Sequence, residues 1–389
     1  MEYPILHLKP GKERPLQRFH PWIFSGAIAH ITGNPTNGEL VFVKDSKGKT
    51  LATAHYQEGS IQARILSFSE KRIDQSFWEE SLAGCFRMRK DIGLPDANTN
   101  IFRLVHGEGD HLPGLVVDIY GSTAVLQCHS HGMYLSRNEI AAAIVNASEQ
   151  TILNVYDKSA ESLGLDQPGS FLIGNEVEEE LIENGHRFLV DFQQGQKTGF
   201  FIDQRENRAL LGRYSSGRKV LNAFCYSGGF SVYALHAGAI KVDSIDSSQK
   251  AIELTYQNIE KNAGIDSRHK AIQADVPEWL KTNQEKYDLI VLDPPAFAKH
   301  TDARHRAVQA YKRLNRNAME QIAPGGILFT FSCSQVVDAS LFRHTITAAA
   351  IESGREISIL HQMSQGPDHP VNVFHPEGEY LKGLVLLVK

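Results

Sequence analysis

Three polar segments follow apolar runs in the C-terminal half of the 389-residue sequence, and each carries a group that could take part in chemistry. Residues 222–230 read NAFCYSGGF with a glycine pair, residues 293–297 read DPPAF with a carboxylate before two prolines, and residues 331–334 read FSCS with a thiol. An open parallel sheet places its ligand crevice outside the carboxyl ends of its strands, so these segments are expected to meet. The sequence therefore predicts one site formed by a cofactor turn, an acidic loop and Cys333.

The residues around the glycine pair favour a nucleoside-type cofactor. Gly228 lets the backbone approach a ligand closely, and the following helix offers N–H groups at its start. Asp246 ends the next strand, 24 residues after Asn222, where an acid commonly accepts both ribose hydroxyls. Asp275 follows a third strand and could accept from an adenine amino group, although either aspartate could instead cap a helix. Without a pyrophosphate-binding glycine fingerprint, the pattern fits S-adenosylmethionine better than NAD.

The acidic loop is suited to hold a flat base. Pro294 and Pro295 fix the backbone, so the carboxylate of Asp293 and the adjacent carbonyl become rigid acceptors for the edge of a base. Phe297 can stack on the face of the same base. A simple turn that ends a strand is the alternative interpretation, and the position opposite the cofactor turn favours the functional one.

The thiol of Cys333 suggests nucleophilic catalysis. The sequence predicts a helix that begins near Gln335, and a thiolate at a helix N-terminus can have a lowered pKa and act as a nucleophile. Pyrimidine C5 is a poor carbon nucleophile, but a thiolate added to C6 converts the ring to an enolate or enamine that accepts a methyl group at C5. The alternative is a small buried hydrophobic residue. Cys225, the rival thiol, lies inside the cofactor turn, where packing suits it better.

Composition and charge limit the class of protein. The sequence is 42% hydrophobic and 22% charged, and it contains no apolar run near the roughly 20 residues that span a bilayer. Its four cysteines show no metal-ligand spacing, which indicates reduced thiols in a cytoplasmic protein without a metal. The overall charge of −5 argues against nonspecific nucleic-acid binding.

Basic residues are nevertheless concentrated in two segments. Residues 1–72 carry ten Lys/Arg against six Asp/Glu, and residues 296–320 carry six against two, an excess of four in each. Local basic patches can contact phosphates whatever the net charge. Arg14, Arg18 and Lys299 are the predicted phosphate contacts, and a solvated helix face is the alternative for either patch. Trp22 and Phe24, within the first segment, are expected to pack in a core.

The elements that must position these residues fall into three groups. Residues 1–70 show short strands and a hairpin turn at 45–48, and residues 71–192 mix strands with helices such as 77–92. Beyond them strands and helices alternate, which predicts an α/β domain with a doubly wound, mostly parallel sheet. Its predicted strands are 219–223, 242–245, 271–273, 289–292, 327–331 and 383–388.

Five longer strings give the chain a resemblance to a known family. They are LQRFHPWIFSGA at 16–27, GEGDHLPGLVVD at 107–118, KTGFFIDQR at 197–205, PDHPV at 367–371 and EYLKG at 379–383. With the three site segments, they resemble the bacterial large-subunit rRNA cytosine-C5 methyltransferases that carry an N-terminal PUA domain. The resemblance spans essentially the whole chain.

The resemblance implies a PUA domain in residues 1–70, a central α+β domain of EEHEE type in 71–192, and a class I, Rossmann-like methyltransferase domain in 193–389. It implies that S-adenosylmethionine is the cofactor, that 23S rRNA is the partner, and that Asp293 holds the base for Cys333. Pro295 and Phe297 are further substrate contacts. The predicted cofactor contacts are Gln204, Arg205, Asn222, Phe224, Ser227, Gly228, Asp246, Ser248, Asp275 and Asp293.

Several alternatives remain at this point. Two-cysteine RNA cytosine methyltransferases carry their second cysteine where this chain has Pro295, so the group that removes the C5 proton is undefined. Acidic-Pro-Pro-aromatic loops also occur in nitrogen methyltransferases, which need no thiol, and methylation of uracil C5 would use the same cysteine. A noncatalytic RNA-binding assembly factor could retain a cofactor pocket. A small-molecule methyltransferase would leave the N-terminal domain without a role. The PUA and central domains could also pair two chains into a homodimer.

Overall fold

The computed structural model describes residues 3–175, 178–298 and 300–389, so the predicted RNA contact at Lys299 lies outside the described residues. The chain forms two compact units. Unit 1 comprises Met1–Leu181, Val190–Ile202 and Pro367–Gly378, and unit 2 comprises Ile182–Leu189, Asp203–Gly366 and Glu379–Lys389. The division into three domains at residues 70 and 192 stays a prediction. Within the described ranges, no helix combines the length and the apolar composition that crossing a membrane requires.

The N-terminal part of unit 1 is a β-sheet with one short helix. Its elements are β1 (Ile5–Leu8), α1 (Arg14–Gln17), β2 (Trp22–Phe24), β3 (Ile28–Thr32), β4 (Leu40–Lys44), β5 (Thr50–Tyr56) and β6 (Ile61–Ser67). The strands pair in the order β2-β6-β5-β4-β1-β3. The predicted hairpin is confirmed, because Asp45 accepts hydrogen bonds from the backbone of Lys47 and Lys49. The core prediction for Phe24 is wrong: strand alternation buries Ile23 and leaves Phe24 49% exposed.

The remainder of unit 1 packs helices on a second sheet. Its elements are α2 (Gln75–Asp91), β7 (Ile101–His106), β8 (Leu115–Tyr120), β9 (Thr123–Cys128), α3 (His131–Leu135), α4 (Arg137–Ala147), β10 (Asn154–Asp157), α5 (Ser159–Leu163) and β11 (Ser170–Ile173). The strands pair in the order β11-β10-β9-β8-β7. Helix α2 begins where the Asp74 side chain accepts from the Phe77 N–H, and it buries Phe77, Trp78 and Leu82 at helical spacing. The helix predicted at 77–92 is confirmed with a start two residues earlier.

A C-terminal segment, Pro367–Gly378, belongs to unit 1. It is bound there by the buried guanidinium of Arg89. This side chain is 0% exposed and donates to both carboxylate oxygens of Asp110, at 2.6 and 2.7 Å. It also donates to the carbonyl oxygens of Arg103, at 2.7 Å, and Asp368, at 2.9 Å. Asp368 in turn accepts from the Arg103 N–H at 3.0 Å. One charged group thus joins α2, β7 and the C-terminal segment.

Unit 2 contains the predicted doubly wound sheet. In chain order its elements are β12 (Leu181–Glu183), β13 (His186–Phe188), α6 (Arg205–Ser215), β14 (Lys219–Ala223), α7 (Gly229–His236), β15 (Lys241–Asp246), α8 (Gln249–Ala263), β16 (His269–Gln273), α9 (Val276–Thr282), β17 (Tyr287–Leu292), α10 (Arg304–Gln321), β18 (Ile322–Ser332), α11 (Ala339–Ser353), β19 (Ile357–Ser364) and β20 (Lys382–Val388). In the main sheet the strands lie in the order β16-β15-β14-β17-β18-β20-β19. The five strands β14 to β18 run parallel, and β20 is antiparallel to its neighbours β18 and β19. The mostly parallel sheet is confirmed.

The close packing of β20 leaves no room for a side chain at Gly383. A Cβ atom there would lie 2.5 Å from Cδ1 of Phe331 and 2.9 Å from Cε of Met363. We expect Gly383→Ala to lower the free energy of unfolding by about 1–3 kcal/mol, because the ring and its neighbours must shift. Urea titration measures this change.

A matched control is Gly212→Ala in α6. A Cβ atom at Gly212 would meet nothing closer than 3.9 Å, and alanine favours a helix interior over glycine. This variant should be as stable as the wild type or more stable. Equal unfolding free energies for Gly383→Ala and the wild type would contradict the packing of β20 on β18.

Candidate active site

The turn between β14 and α7 has an unusual backbone. Phe224, Tyr226 and Gly228 all have positive φ angles, of 63°, 46° and 75°. Only glycine adopts such angles without strain, so the turn must be held by its surroundings. The Gly228 N–H donates to the Cys225 carbonyl at 2.8 Å, and the Cys225 N–H donates to the Ile245 carbonyl of β15 at 3.0 Å. The sequence predicted the glycine here but not the two strained aromatic residues.

Helix α8 supports the turn from one side. The Thr255 hydroxyl donates to the Tyr226 carbonyl at 3.0 Å, and the Asn258 amide donates to the Ser227 carbonyl at 2.8 Å. A Cβ atom on Gly228 would lie 2.7 Å from Cγ2 of Thr255. The turn is therefore closed against α8 at Gly228, and a side chain cannot be added there without displacing the helix.

Asp246 connects the turn to the next strand end. Its carboxylate accepts from the Tyr226 N–H at 3.0 Å and from the Ser248 N–H at 2.9 Å. Ser248 itself caps α8. The Ala274 N–H donates to the Asp246 carbonyl at 2.9 Å, which brings the end of β16 to the same edge of the sheet. Asp275 lies there, exposed, and caps α9 with one carboxylate oxygen.

These contacts gather one part of the predicted cofactor set at a single edge of the sheet. The members that meet there are Phe224, Ser227, Gly228, Asp246, Ser248 and Asp275. Other members are buried: Asn222 is 1% exposed and donates to the Ser231 hydroxyl at 2.9 Å. Gln204 and Arg205 are also buried, and Gln204 accepts from the Asn207 amide at 2.6 Å. A cofactor contact by any residue of the set stays a prediction.

The acidic loop and the cysteine segment meet at adjacent strand ends. Strand β17 pairs with β14 and β18, so Asp293 and Cys333 each follow a neighbouring central strand. The Ser334 hydroxyl donates to the Ala298 carbonyl at 2.7 Å, which links the two loops directly. Asp293 is half-buried and Pro295 is exposed. The half-buried ring of Phe297 packs on Tyr311 of α10 with 4.6 Å between ring centroids.

The four cysteines, all of which the structure describes, differ in exposure. Cys85, Cys128 and Cys225 are buried, and burial raises the pKa of each of these thiols to about 12. Cys225 packs with its sulfur 3.5 Å from the Thr255 hydroxyl. Cys333 is half-buried. Because a thiolate is the reactive form, this contrast favours Cys333 as the nucleophile.

The predicted helix start beside Cys333 is wrong. Helix α11 begins at Ala339, six residues after the cysteine, and its N-terminus is capped by Asp338, which accepts from the Leu341 N–H at 2.8 Å. Residues 335–337 form a turn instead, in which Val337 is fully buried. The influence of a helix terminus falls off within its first turn, so it cannot account for a reactive Cys333.

Sequence reasoning missed Lys382, the first residue of β20. Its ammonium donates to the carbonyl oxygen of Ser334 at 2.7 Å, next to Cys333. The available signal was a lysine at the start of an otherwise apolar strand. A lysine in that position is usually exposed, and only the pairing of β20 with β18 shows that this one is buried.

The predicted RNA contacts Arg14 and Arg18 lie in and directly after α1 of unit 1, and both are exposed. In unit 2, the basic residues of α10 are partly neutralised, because Lys312 forms an ion pair with Glu352 at 2.6 Å. Contact of Arg14 and Arg18 with RNA stays a prediction.

Known proteins resemble this chain along its whole length. A family model described as S-adenosylmethionine-dependent methyltransferase matches residues 140–373, and one described as PUA-like domain matches residues 6–68. Ribosomal RNA large subunit methyltransferase I of Klebsiella pneumoniae (strain 342) is 38% identical over 399 residues, which cover 99% of this chain and 98% of that protein. The protein of the same name from Pseudoalteromonas translucida (strain TAC 125) is 38% identical over 394 residues, with 98% and 99% covered. The chain belongs to the ribosomal RNA large subunit methyltransferase I family.

Solved structures show the same fold. A Streptococcus mutans protein described as a SAM-dependent methyltransferase superposes with a TM-score of 0.85 at 23% identity, and SMU.776, described as a methyltransferase complexed with SAH, with 0.86 at 24%. Both comparisons cover 100% of each chain. This member of the methyltransferase I family is thus an S-adenosylmethionine-dependent enzyme with an N-terminal PUA-like domain, which confirms the predicted fold class and cofactor.

Proposed function

We propose that the protein methylates C5 of a cytosine in the 23S rRNA of the large ribosomal subunit, through a covalent bond between Cys333 and C6 of the base. The observation that carries the proposal is the position of a half-buried thiol beside the Asp293 loop, with the two loops joined by the Ser334 hydrogen bond. The name of the relatives, ribosomal RNA large subunit methyltransferase I, supports ribosomal RNA as the substrate.

The residues around the turn fit the cofactor. We propose that Asp246 accepts hydrogen bonds from the ribose hydroxyls and that Asp275 faces the adenine. The turn backbone at Phe224, Ser227 and Gly228 passes along the cofactor, and the absence of space for a side chain at Gly228 is consistent with a turn shaped for close approach. The buried residues Asn222, Gln204 and Arg205 shape the site from the protein interior, and Ser248 lies at its edge. When bound, S-adenosylmethionine supplies the methyl group.

The chemistry follows from the weakness of C5 as a nucleophile. The Cys333 thiolate adds to C6, and the electron pair of the C5–C6 double bond moves into the ring, where Asp293 holds the N3/N4 edge. C5 then bonds to the methyl carbon that a bound S-adenosylmethionine would supply, and the cofactor sulfur would keep the electron pair of the broken bond and leave as S-adenosylhomocysteine. Transfer of the C5 proton to a base leaves its electron pair to re-form the C5–C6 double bond, the bond between sulfur and C6 breaks, and the thiolate is released. Phe297 and Pro295 border the base in this proposal.

RNA binding is proposed to involve unit 1 as well. Arg14 and Arg18 contact phosphates flanking the target, so binding should weaken as salt increases. We further propose the domain limits 1–70, 71–192 and 193–389. A homodimer and a cytoplasmic location stay predictions, and light scattering of the purified protein tests the former.

The test is the identity of the methylated nucleoside. Purified protein is incubated with isotope-labelled S-adenosylmethionine and unmodified 23S rRNA, and the digested RNA is analysed by mass spectrometry. We expect labelled 5-methylcytidine, with none when tRNA of the same preparation is offered. Label on a base nitrogen, or in 5-methyluridine, would contradict the proposal. Cofactor binding without any methylated nucleoside would indicate a noncatalytic assembly factor.

A further inference from the structure

Lys382 is a buried lysine at the edge of the proposed site. It begins β20, whose following residues, Gly383–Val388, are all apolar, and it is only 7% exposed. Removing an ammonium group from water is unfavourable unless it gains hydrogen bonds and nearby negative charge. A lysine in this position therefore needs a structural or chemical reason.

Its hydrogen bonds direct the ammonium at the cysteine segment. The Nζ atom donates to the carbonyl oxygen of Ser334 at 2.7 Å and to that of Tyr380 at 2.7 Å. Strand β20 runs antiparallel to β18, and Lys382 is paired with Ser332, the residue before Cys333. The lysine thus faces the chain at the residues on both sides of the nucleophile.

The charged groups around Lys382 are few and come from different elements. Cys333 follows β18, Glu379 precedes β20, and Asp338 caps α11. Burial lowers the pKa of Lys382 to about 8, and the negative charges of Cys333, Glu379 and Asp338, in that order, raise it. Below pH 8 the lysine is therefore mainly protonated. The coupling is reciprocal, because a thiolate that stabilises the ammonium is stabilised by it to the same extent.

We propose that Lys382 is the positioning residue that supplies the positive charge stabilising the Cys333 thiolate and that holds the cysteine segment through the Ser334 carbonyl. This lysine takes the role that the sequence assigned to a helix N-terminus. Its catalytic meaning rests on the proposed function, while the charge coupling itself does not depend on which base is methylated.

The reactivity of the thiol tests this coupling without RNA. The wild type and Lys382→Met are treated with iodoacetamide between pH 6 and 10, and alkylation of Cys333 is followed by peptide mass spectrometry. The other three thiols are buried with pKa values near 12 and should react slowly. We expect Lys382→Met to slow alkylation of Cys333 at pH 7 about tenfold. The midpoint of the plot of alkylation rate against pH should rise by about one pH unit.

Two further variants separate charge from structure. Lys382→Arg keeps the positive charge and should retain a profile near that of the wild type. Lys219→Met, at the exposed start of β14, removes a lysine of the same unit away from the cysteine and should leave the profile unchanged. If Lys382→Met does not fold, as judged by circular dichroism and S-adenosylmethionine binding, Lys382→Gln carries the same expectation.

An unchanged alkylation profile in a folded Lys382→Met or Lys382→Gln protein would overturn the inference. Its failure is distinguishable from failure of the proposed function. A shifted alkylation profile together with methyl transfer by Cys333→Ala would leave the charge coupling standing and overturn the C5 chemistry. An unchanged alkylation profile together with loss of methyl transfer in Cys333→Ala would overturn the charge coupling and leave the C5 chemistry standing.

Discussion

Cys333→Ala is expected to lose methyl transfer to 23S rRNA by at least about a thousandfold while it binds S-adenosylmethionine as the wild type does. The reason is that no other thiol can substitute: Cys225 lies in the same unit, but it is buried, with a pKa of about 12. Initial rates with labelled cofactor measure the loss, and calorimetry measures cofactor binding. The alanine removes only the sulfur of a half-buried side chain, so the fold should be retained.

The matched control is Cys85→Ala in α2 of unit 1, which removes a buried thiol that the proposed chemistry does not use. Its methyl transfer should stay within a few-fold of the wild type. A second readout is covalent trapping, because RNA with 5-fluorocytidine at the target cannot lose a C5 proton. The wild type should then accumulate a protein–RNA adduct that survives denaturing electrophoresis, and Cys333→Ala should not. An adduct in the alanine variant, or equal product from it, would return Cys333 to a packing role.

Asp110→Asn is expected to lower the free energy of unfolding of unit 1 by about 3–5 kcal/mol. The substitution keeps the size of the side chain but leaves the guanidinium of Arg89, which is 0% exposed, without its counter-charge. The remaining bonds of Arg89 to two backbone carbonyls cannot replace a paired carboxylate. Urea unfolding followed by fluorescence measures the change. In a Trp279→Phe background, the remaining tryptophans, Trp22 and Trp78, both report unit 1.

The control for this experiment is Glu80→Gln. Glu80 forms an ion pair with Lys71 at 2.9 Å in the same unit, but both side chains are well exposed. Exposed pairs contribute about 0–1 kcal/mol, so this variant should unfold almost as the wild type does. If Asp110→Asn were no less stable than Glu80→Gln, the buried network around Arg89 would not stabilise unit 1.

The main sheet of unit 2 was predictable because its central strands are largely apolar, with entirely apolar stretches at 289–292 and 327–329. Strand β14 was predicted with its observed bounds, 219–223, and β17 was predicted at 289–292 within its observed range. A strand buried on both faces needs mostly apolar residues, and polar side chains that face solvent or a ligand follow where it ends. For the same reason, the order of Asp246, Asp293 and Cys333 along the sequence was sufficient to place them at one edge of the sheet.

Other features depend on contacts that a sequence does not display. The positive φ angles of Phe224 and Tyr226 arise because β15 and α8 hold the turn, and nothing in the types of these two residues indicates them. A turn, and not the predicted helix, follows Cys333 because Val337 is buried in the core. Lys382 became part of the site only through strand pairing over about 50 residues of sequence.

The path of the chain has a consequence for its synthesis. It passes between the two units five times, and the first unit needs Pro367–Gly378 to be whole. Domains made on the ribosome commonly fold in order from the N-terminus. Here the leading 181 residues emerge long before Asp368 can offer its carbonyl to Arg89. The guanidinium of Arg89, which is buried in the folded protein, therefore lacks the hydrogen bond to the Asp368 carbonyl until nearly all of the second unit has been translated.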